Sequence, residues 1–239
     1  MAVSIDIRAD PPDLARLEAA VAEVGAWLER VDGRFSTFKD DSDVSRIARG
    51  ELDIGAAGHD VAEVLALGER FRAATGGYFD VRASGRLDPS GVVKGWAVER
   101  ASELLLAAGF PDHAVNAGGD IRMRGRPGPG RGWRVGIAHP HVRGGLAAVA
   151  EVADGAVATS GTAERGAHVV DPHTGRAALE LASVTVVGAE LVATDVYATA
   201  ALAMGRDAPA WLAGLAGHEA FVVGADATTW HTPGFPFAS

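Results

Sequence analysis

The chain has 239 residues, 48% of them hydrophobic and 22% charged, proportions of a folded globular protein that exclude a disordered or fibrous one. With no cysteine, disulfide frameworks, thiolate zinc sites, iron–sulfur clusters and cysteine nucleophiles are excluded outright. A formal charge of -9 argues against a general nucleic-acid binder, since neutralising phosphates needs a basic face, while leaving room for a local basic pocket.

The opening MAVSIDIRADPPD lacks the basic region and apolar run of a secretory signal. No later stretch reaches the ~18 apolar residues of a membrane span, so a cytoplasmic protein without a membrane span is the expectation. Val3, Ile5 and Ile7 alternate with polar residues, as in a half-buried strand. After Pro11 and Pro12 the period changes: Leu14, Leu17, Val21, Val24, Leu28 and Val31 recur every three or four residues, as one buried helix face would. A second helix is expected from about Val61 to Ala74, ended near Gly76, and a third from about Lys94 to Ala108, ended by Gly109.

From Ala114 to Val187 the pattern becomes short β-rich runs parted by glycine and proline, including HAVNA, DIRMR, WRVGIA, AVATS and SVTVV. The loop GRPGPGRG, Gly125 to Gly132, reads as a hairpin connection. Helices follow at Thr194 to Met204 and Ala210 to Leu215, and a last strand at Ala220 to Gly224. Helices separating runs of antiparallel strands give an α+β fold, and the length suits one domain over residues 1–239.

Several clusters could carry chemistry. Thr75-Gly76-Gly77-Tyr78-Phe79-Asp80 ends a helix in paired glycines, which either cap it or let backbone approach a ligand. Asp88-Pro89-Ser90-Gly91-Val92-Val93-Lys94-Gly95 runs a glycine-containing loop into a helix with lysine at its start. That placement is unfavourable unless something negative lies nearby, a ligand phosphate included. Asn116-Ala117-Gly118-Gly119-Asp120 breaks a strand at two glycines and is by itself a turn signal. His168 heads a β-branched run and serves either as a strand-end residue or as a base; His173, five residues on, is poorly spaced to share its strand face. Asp195 and Thr199 lie four apart in a helix and share one face, as hard oxygen donors of the kind magnesium accepts. The alternative is a first-turn cap at Thr194 or Asp195 beside a half-buried threonine.

Taken in order, these clusters resemble the FAD:protein FMN transferase family of flavin transferases, the ApbE type. RFSTFKDDSDVSRI, TGGYFDV, SGVVKGWAVERASELL, AVNAGGDIRMRG, WRVGIAHP, VATSG, AHVVDPHTGRA and SVTVVGAELVATDVYATAALAMG carry the likeness from about Arg34 to Gly205. The resemblance implies a duplicated T-fold-like architecture of antiparallel sheets and packed helices, with a ligand cleft between the halves holding FAD and magnesium. It implies that Asp195 and Thr199 ligate the metal with a third oxygen from the loop backbone at Gly91. It places Phe38, Tyr78, Phe79, Asp80, Asp88, Lys94, Gly118, Gly119 and Asp120 at FAD, and His168 at the reacting phosphate as general base.

The sequence departs from the family at four places. It begins MAVSID where Met-Gly-Thr is usual, has Ile47-Ala48 where Leu-Asn is common, has Ala163 in place of an aromatic before Glu164, and shortens the segment from Asp80 to Asp88. The implied reaction moves FMN from FAD to a threonine or serine hydroxyl of an acceptor flavoprotein and releases AMP. Magnesium and Lys94 suit a diphosphate of about two negative charges, and histidine's ordinary pKa suits proton removal from the hydroxyl. Attack by water instead makes the same site an FAD pyrophosphatase yielding FMN and AMP. An FAD-binding protein without turnover is the remaining alternative.

Overall fold

The computed structural model of the chain describes residues 3–9, 13–162, 166 and 169–239. The N-terminal alternation forms strand β1, Val3–Ile7, and the first apolar period forms α1, Leu14–Phe35, capped by the Asp13 carboxylate on the Arg16 amide. Two short turns later come α2, Asp43–Ala48, and α3, His59–Ala74, then α4, Ser90–Ala107. The β-rich region supplies β2, His113–Ala117; β3, Asp120–Arg124; β4, Trp133–Ala138; β5, Leu146–Val152; β6, Gly155–Gly161; β7, Val170–Asp171; β8, Arg176–Ala177; and β9, Leu181–Gly188. The chain continues through α5, Leu191–Met204, and α6, Ala208–Ala213, to β10, Glu219–Gly224, and β11, Thr229–His231.

Seven strands join one antiparallel sheet in the order β1-β2-β3-β6-β9-β10-β11, so the expected α+β class is what the chain adopts. Side chains alternate between the sheet's two faces. Val115, Ala117, Ala156, Ala158, Val184, Val186, Ala220 and Val222 join the core under the helices. Their neighbours Met123, Val157, Val187, Phe221 and Val223 enter a second core, closed by Trp133, Val135 and Ile137 of the β4–β5 hairpin. The central strands β6, β9 and β10 are therefore buried on both faces, which is why they read as largely apolar runs. Helices α4 and α5 lie against the sheet, and α1 and α3 pack on α4.

Two details differ from the sequence reading. The loop 125–132 does not close a hairpin: β3 pairs with β2 and β6, and the loop carries the chain across to the β4–β5 pair on the opposite face. The buried stripe of α1 is Ala20, Val24, Trp27, Val31 and Phe35, while Leu14 and Val21 are exposed. Trp27 decides that rotation, because its indole packs 5.0 Å from Trp96 and donates its N–H to the Ala97 carbonyl at 2.9 Å. A large ring with one polar atom is best placed where that atom finds an acceptor.

Under the α4–β2 junction lies a fully buried histidine. His113 Nδ1 is 2.7 Å from the Phe110 carbonyl, which can only accept, so Nδ1 carries the proton. Nε2 then accepts from the Ser102 hydroxyl at 2.7 Å, and Ser102 in turn accepts from Arg124 Nε at 2.9 Å. Burial, with the nearby Arg124 and Arg122 charges, pushes the His113 pKa below its ordinary value against the opposing pull of the Phe110 carbonyl. The unfolded chain therefore binds a proton more readily than the folded one. The stabilisation is full above the ordinary histidine value and is lost as pH falls below it, at no more than about 1.4 kcal/mol per pH unit. Thermal melts from about pH 7.5 to about pH 5 are expected to show falling stability, with a shallower slope in His113→Asn; equal slopes would place the acid sensitivity elsewhere.

Candidate active site at one end of the sheet

The site is built where the β2–β3 turn, the end of β6 and helices α4 and α5 meet. Gly118 and Gly119 have φ of 63° and 95°, a region that favours glycine, and the Asn116 side chain holds the Gly119 amide at 2.9 Å. This tight reversal places Asp120 as the first residue of β3, only 2% exposed. One Asp120 oxygen accepts the Thr159 amide at 2.9 Å, and the other forms an ion pair with Lys94 Nζ. Asp195, also 2% exposed, brings its carboxylate to 3.3 Å from the same ammonium. Burial alone pushes Lys94 down, but Asp195 and Asp120 outweigh it and hold the ammonium above the usual lysine value.

Lys94 and Asp195 can meet because α4 and α5 touch backbone to backbone. A Cβ on Gly95 would lie 2.8 Å from Val192 Cα, a separation that real side chains do not tolerate. Helix α4 begins at Ser90, so Lys94 sits in its second turn rather than its first, and the negative partners it needs are supplied by the protein. Helix α5 likewise begins at Leu191, which removes the cap reading of Thr194 and Asp195. The Thr194 hydroxyl donates to the Glu190 carbonyl at 2.7 Å, and the Asp195 side chain is buried beyond the first turn of the helix. Thr199, one turn further along α5, shares a hydrogen bond of 2.9 Å with Ser160 Oγ of β6.

A second group of predicted residues surrounds the start of α4. The Thr75 hydroxyl donates to the Phe71 carbonyl and accepts the Phe79 amide, so Gly76, Gly77 and Tyr78 are spanned by a closed turn. Buried Phe79 packs on Gly91, where a Cβ would come within 2.9 Å of the ring. Gly91 is the second residue of α4 and not part of a loop, which corrects the sequence expectation. Tyr78 meets His173 edge to face at 4.5 Å between ring centroids, a contact that spacing along the chain could not reveal.

Three predicted residues are engaged otherwise. Asp80 pairs with Arg72 at 3.1 Å and accepts the Arg82 amide at 2.7 Å, tying the turn to α3. Asp88 accepts the Ser90 amide at 3.1 Å at the entry to α4. Phe38 is 96% exposed, an aromatic ring presented to solvent. His168, Ala163 and Glu164 lie outside the described residues. Ser160 and Thr159 were legible only as the polar end of VATSG, and the 2.8 Å contact of the Thr159 hydroxyl with Thr185 of SVTVV joins β6 to β9. Concavities of about 170 and 270 Å³ open elsewhere, beside Trp27 and Arg34 and beside Leu65 and Val81, and neither is lined by Lys94, Asp120 or Asp195.

The oxygens at this end of the sheet are the carboxylates of Asp120 and Asp195 and the hydroxyls of Thr199 and Ser160, a donor set of the hard kind that magnesium accepts. Among the described residues no three His, Cys, Asp or Glu side chains converge, so a cation here would draw on hydroxyl, carbonyl, water and substrate oxygens as well. Among the same residues no helix is long and apolar enough to cross a membrane.

Comparison with known proteins places this geometry in a family. Residues 1–85 and 81–222 match the ApbE family model. The chain is similar to the FAD:protein FMN transferase of Vibrio cholerae serotype O1, 33% identical over 131 residues that make up 51% of this chain and 39% of that protein. It is 28% identical over 162 residues to the FAD:protein FMN transferase of Escherichia coli strain K12, covering 62% of this chain and 46% of that one. The matched stretch thus spans less than half the length of these curated relatives. In fold it is similar to the solved flavin transferase ApbE from Vibrio cholerae, with a TM-score of 0.84 at 22% identity over 98% of this chain and 94% of that one. The flavinyl transferase ApbE of Pseudomonas stutzeri gives a TM-score of 0.80 at 25% identity over 97% of this chain and 91% of that one. With the family model matched from the first strand into β10, the chain belongs to the ApbE family.

Proposed function

We propose that the protein is a magnesium-dependent FAD:protein FMN transferase that moves FMN from FAD to a threonine or serine hydroxyl of an acceptor flavoprotein and releases AMP. The observation that carries this reading is the convergence of Lys94, Asp120 and Asp195, from α4, β3 and α5, at a buried end of the sheet. The names of the curated relatives support the same reaction.

In this reading residues 1–239 act as one unit, and Asp195, Thr199 and the Gly91 carbonyl hold magnesium. Magnesium held there would supply the charge that neutralises the diphosphate and polarises its phosphoryl oxygens. Lys94, kept charged by its two carboxylates, is fixed in place as the protein's own cation for the diphosphate. Gly118 and Gly119 expose backbone beside Asp120, where a ligand can approach without meeting a Cβ. Tyr78, Phe79, Asp80 and Asp88 form the neighbouring wall, and exposed Phe38 offers a stacking surface for a ring.

His168 takes the proton from the acceptor hydroxyl as its oxygen attacks the phosphorus of the FMN half. The bond from that phosphorus to the bridging oxygen breaks, and AMP departs with the bonding pair. Positioning and charge do most of the work in such a transfer, which is why the site is rich in buried charge and closed turns. The same groups serve a water nucleophile, so the acceptor and not the metal seat separates transferase from pyrophosphatase.

Asp195→Ala is expected to lower magnesium-dependent AMP release from FAD by at least about a hundredfold while leaving the melting curve of a folded protein. Unchanged release in a direct nucleotide assay would remove Asp195 from the metal seat. Incubation with FAD, magnesium and a flavoprotein acceptor is expected to add the mass of FMN to one threonine or serine of the acceptor, read by intact-protein and peptide mass spectrometry. Free FMN with an unlabelled acceptor would make the activity hydrolytic, and FAD binding without AMP would make the protein a carrier.

A further inference from the structure

Glu99 joins the three elements that carry the site without touching the site itself. It lies on α4, five residues after Lys94. Its Oε1 accepts from Arg122 Nε at 2.7 Å and from Arg124 Nη2 at 3.3 Å, both on β3, whose first residue is Asp120. Its Oε2 accepts the backbone N–H of Leu191 at 2.9 Å, the first residue of α5 and one turn before Asp195.

The Leu191 contact has a particular consequence. The first N–H groups of a helix have no partner within it, and the residue preceding α5, Glu190, makes no side-chain cap. Glu99 supplies that cap from the neighbouring helix. Close to it, Gly95 lets α4 and α5 approach until backbone meets backbone, but glycine has no side chain with which to lock their register. An α-helix moves as a stiff rod, so a slip of Leu191 along α4 would carry Asp195 and Thr199 with it, away from Lys94 and Asp120. The Glu99 side chain is mostly buried and Arg122 is 5% exposed, so their pairing is held by the interior and not by solvent. Asp154 also pairs with Arg122, at 3.1 Å, but its side chain is 62% exposed and it reaches neither helix α5 nor its amides.

We propose that Glu99 is a positioning residue that sets the register of α5 against α4 and β3 and thereby the geometry of the cation seat. This rests on the assignment of Asp195 and Thr199 to that seat, made above. Such a residue acts on the cation requirement before it acts on the maximal rate. Supporting groups behind metal ligands commonly change affinity by about ten- to a hundredfold.

The test compares wild type with Glu99→Ala, Glu99→Asp, Glu99→Gln and Asp154→Ala. Mn2+ binding to the FAD-bound protein is read by electron paramagnetic resonance, alongside the Mg2+ concentration giving half-maximal AMP release. Glu99→Ala is expected to weaken Mn2+ binding about tenfold and to raise the Mg2+ requirement in step, with the rate largely recovered at saturating Mg2+. Glu99→Asp keeps the charge facing Arg122 but withdraws from Leu191, and is expected to show the same loss; it stands in if the alanine variant does not fold. Glu99→Gln retains an oxygen for the Leu191 amide and is expected to stay near wild type in Mn2+ binding even where its melting temperature falls. Asp154→Ala removes a partner of Arg122 and is expected to leave the metal readouts unchanged. Unaltered Mn2+ binding in Glu99→Ala and Glu99→Asp, or an equal shift in Asp154→Ala, overturns the inference. Wild type that neither binds Mn2+ with FAD nor releases AMP instead overturns the metal assignment on which it rests.

Discussion

Two buried carboxylates facing one ammonium are the constraint around which this end of the sheet is arranged. Charges taken out of water cost far more than they return unless each finds a partner, so Asp120, Asp195 and Lys94 must be delivered together. They come from three different elements, held in place by three contacts. The Gly118-Gly119 reversal sets the start of β3, the Gly95 contact sets the spacing of α4 and α5, and the Thr159 amide fixes one Asp120 oxygen. A site of this kind is preorganised, which is what phosphoryl transfer asks of a protein that does little covalent chemistry of its own.

The sheet explains why such a site sits at its end and not on a face. Both faces are occupied, one by α4 and α5 and the other by the β4–β5 hairpin. Strand ends and turns are the places where backbone groups and polar side chains can meet a ligand without opening a core. The hydroxyls of Thr159, Ser160 and Thr185 continue the polar character from β6 and β9 to Thr199 on α5.

Much of this was legible in the sequence because the periods were strong. The alternation of β1, a long helix over the apolar period from Leu14 to Val31, and the glycines that follow α3, α4 and α5 all reappear at nearly the expected positions. The order of short motifs also pointed to the family, since several weak signals in fixed succession are jointly specific. What the sequence hid depended on tertiary contact. Trp27 rotated the buried face of α1 because its N–H found a carbonyl 70 residues away in the chain. The proline- and glycine-rich loop looked like a hairpin because local turn chemistry does not say which strand comes next in space. Helices α4 and α5 begin earlier than their apolar periods suggest, and that moved Lys94 and Asp195 beyond the first helical turn and brought Gly91 from the loop into the first turn of α4. The Tyr78–His173 contact and the Glu99 bridges join residues of distant segments, and no spacing rule addresses such pairs.

The β4–β5 hairpin is held at its outer edge by residues near the C-terminus. Phe237 bridges Ala150, the Pro236 carbonyl accepts the Glu151 amide at 2.8 Å, and the Ala238 amide donates to Val149 at 2.8 Å. During synthesis, this flank of the hairpin waits on residues that leave the ribosome after every strand of the main sheet has emerged. The β4–β5 layer therefore closes late, and until then β5 shows newly made neighbours an open row of amides and carbonyls.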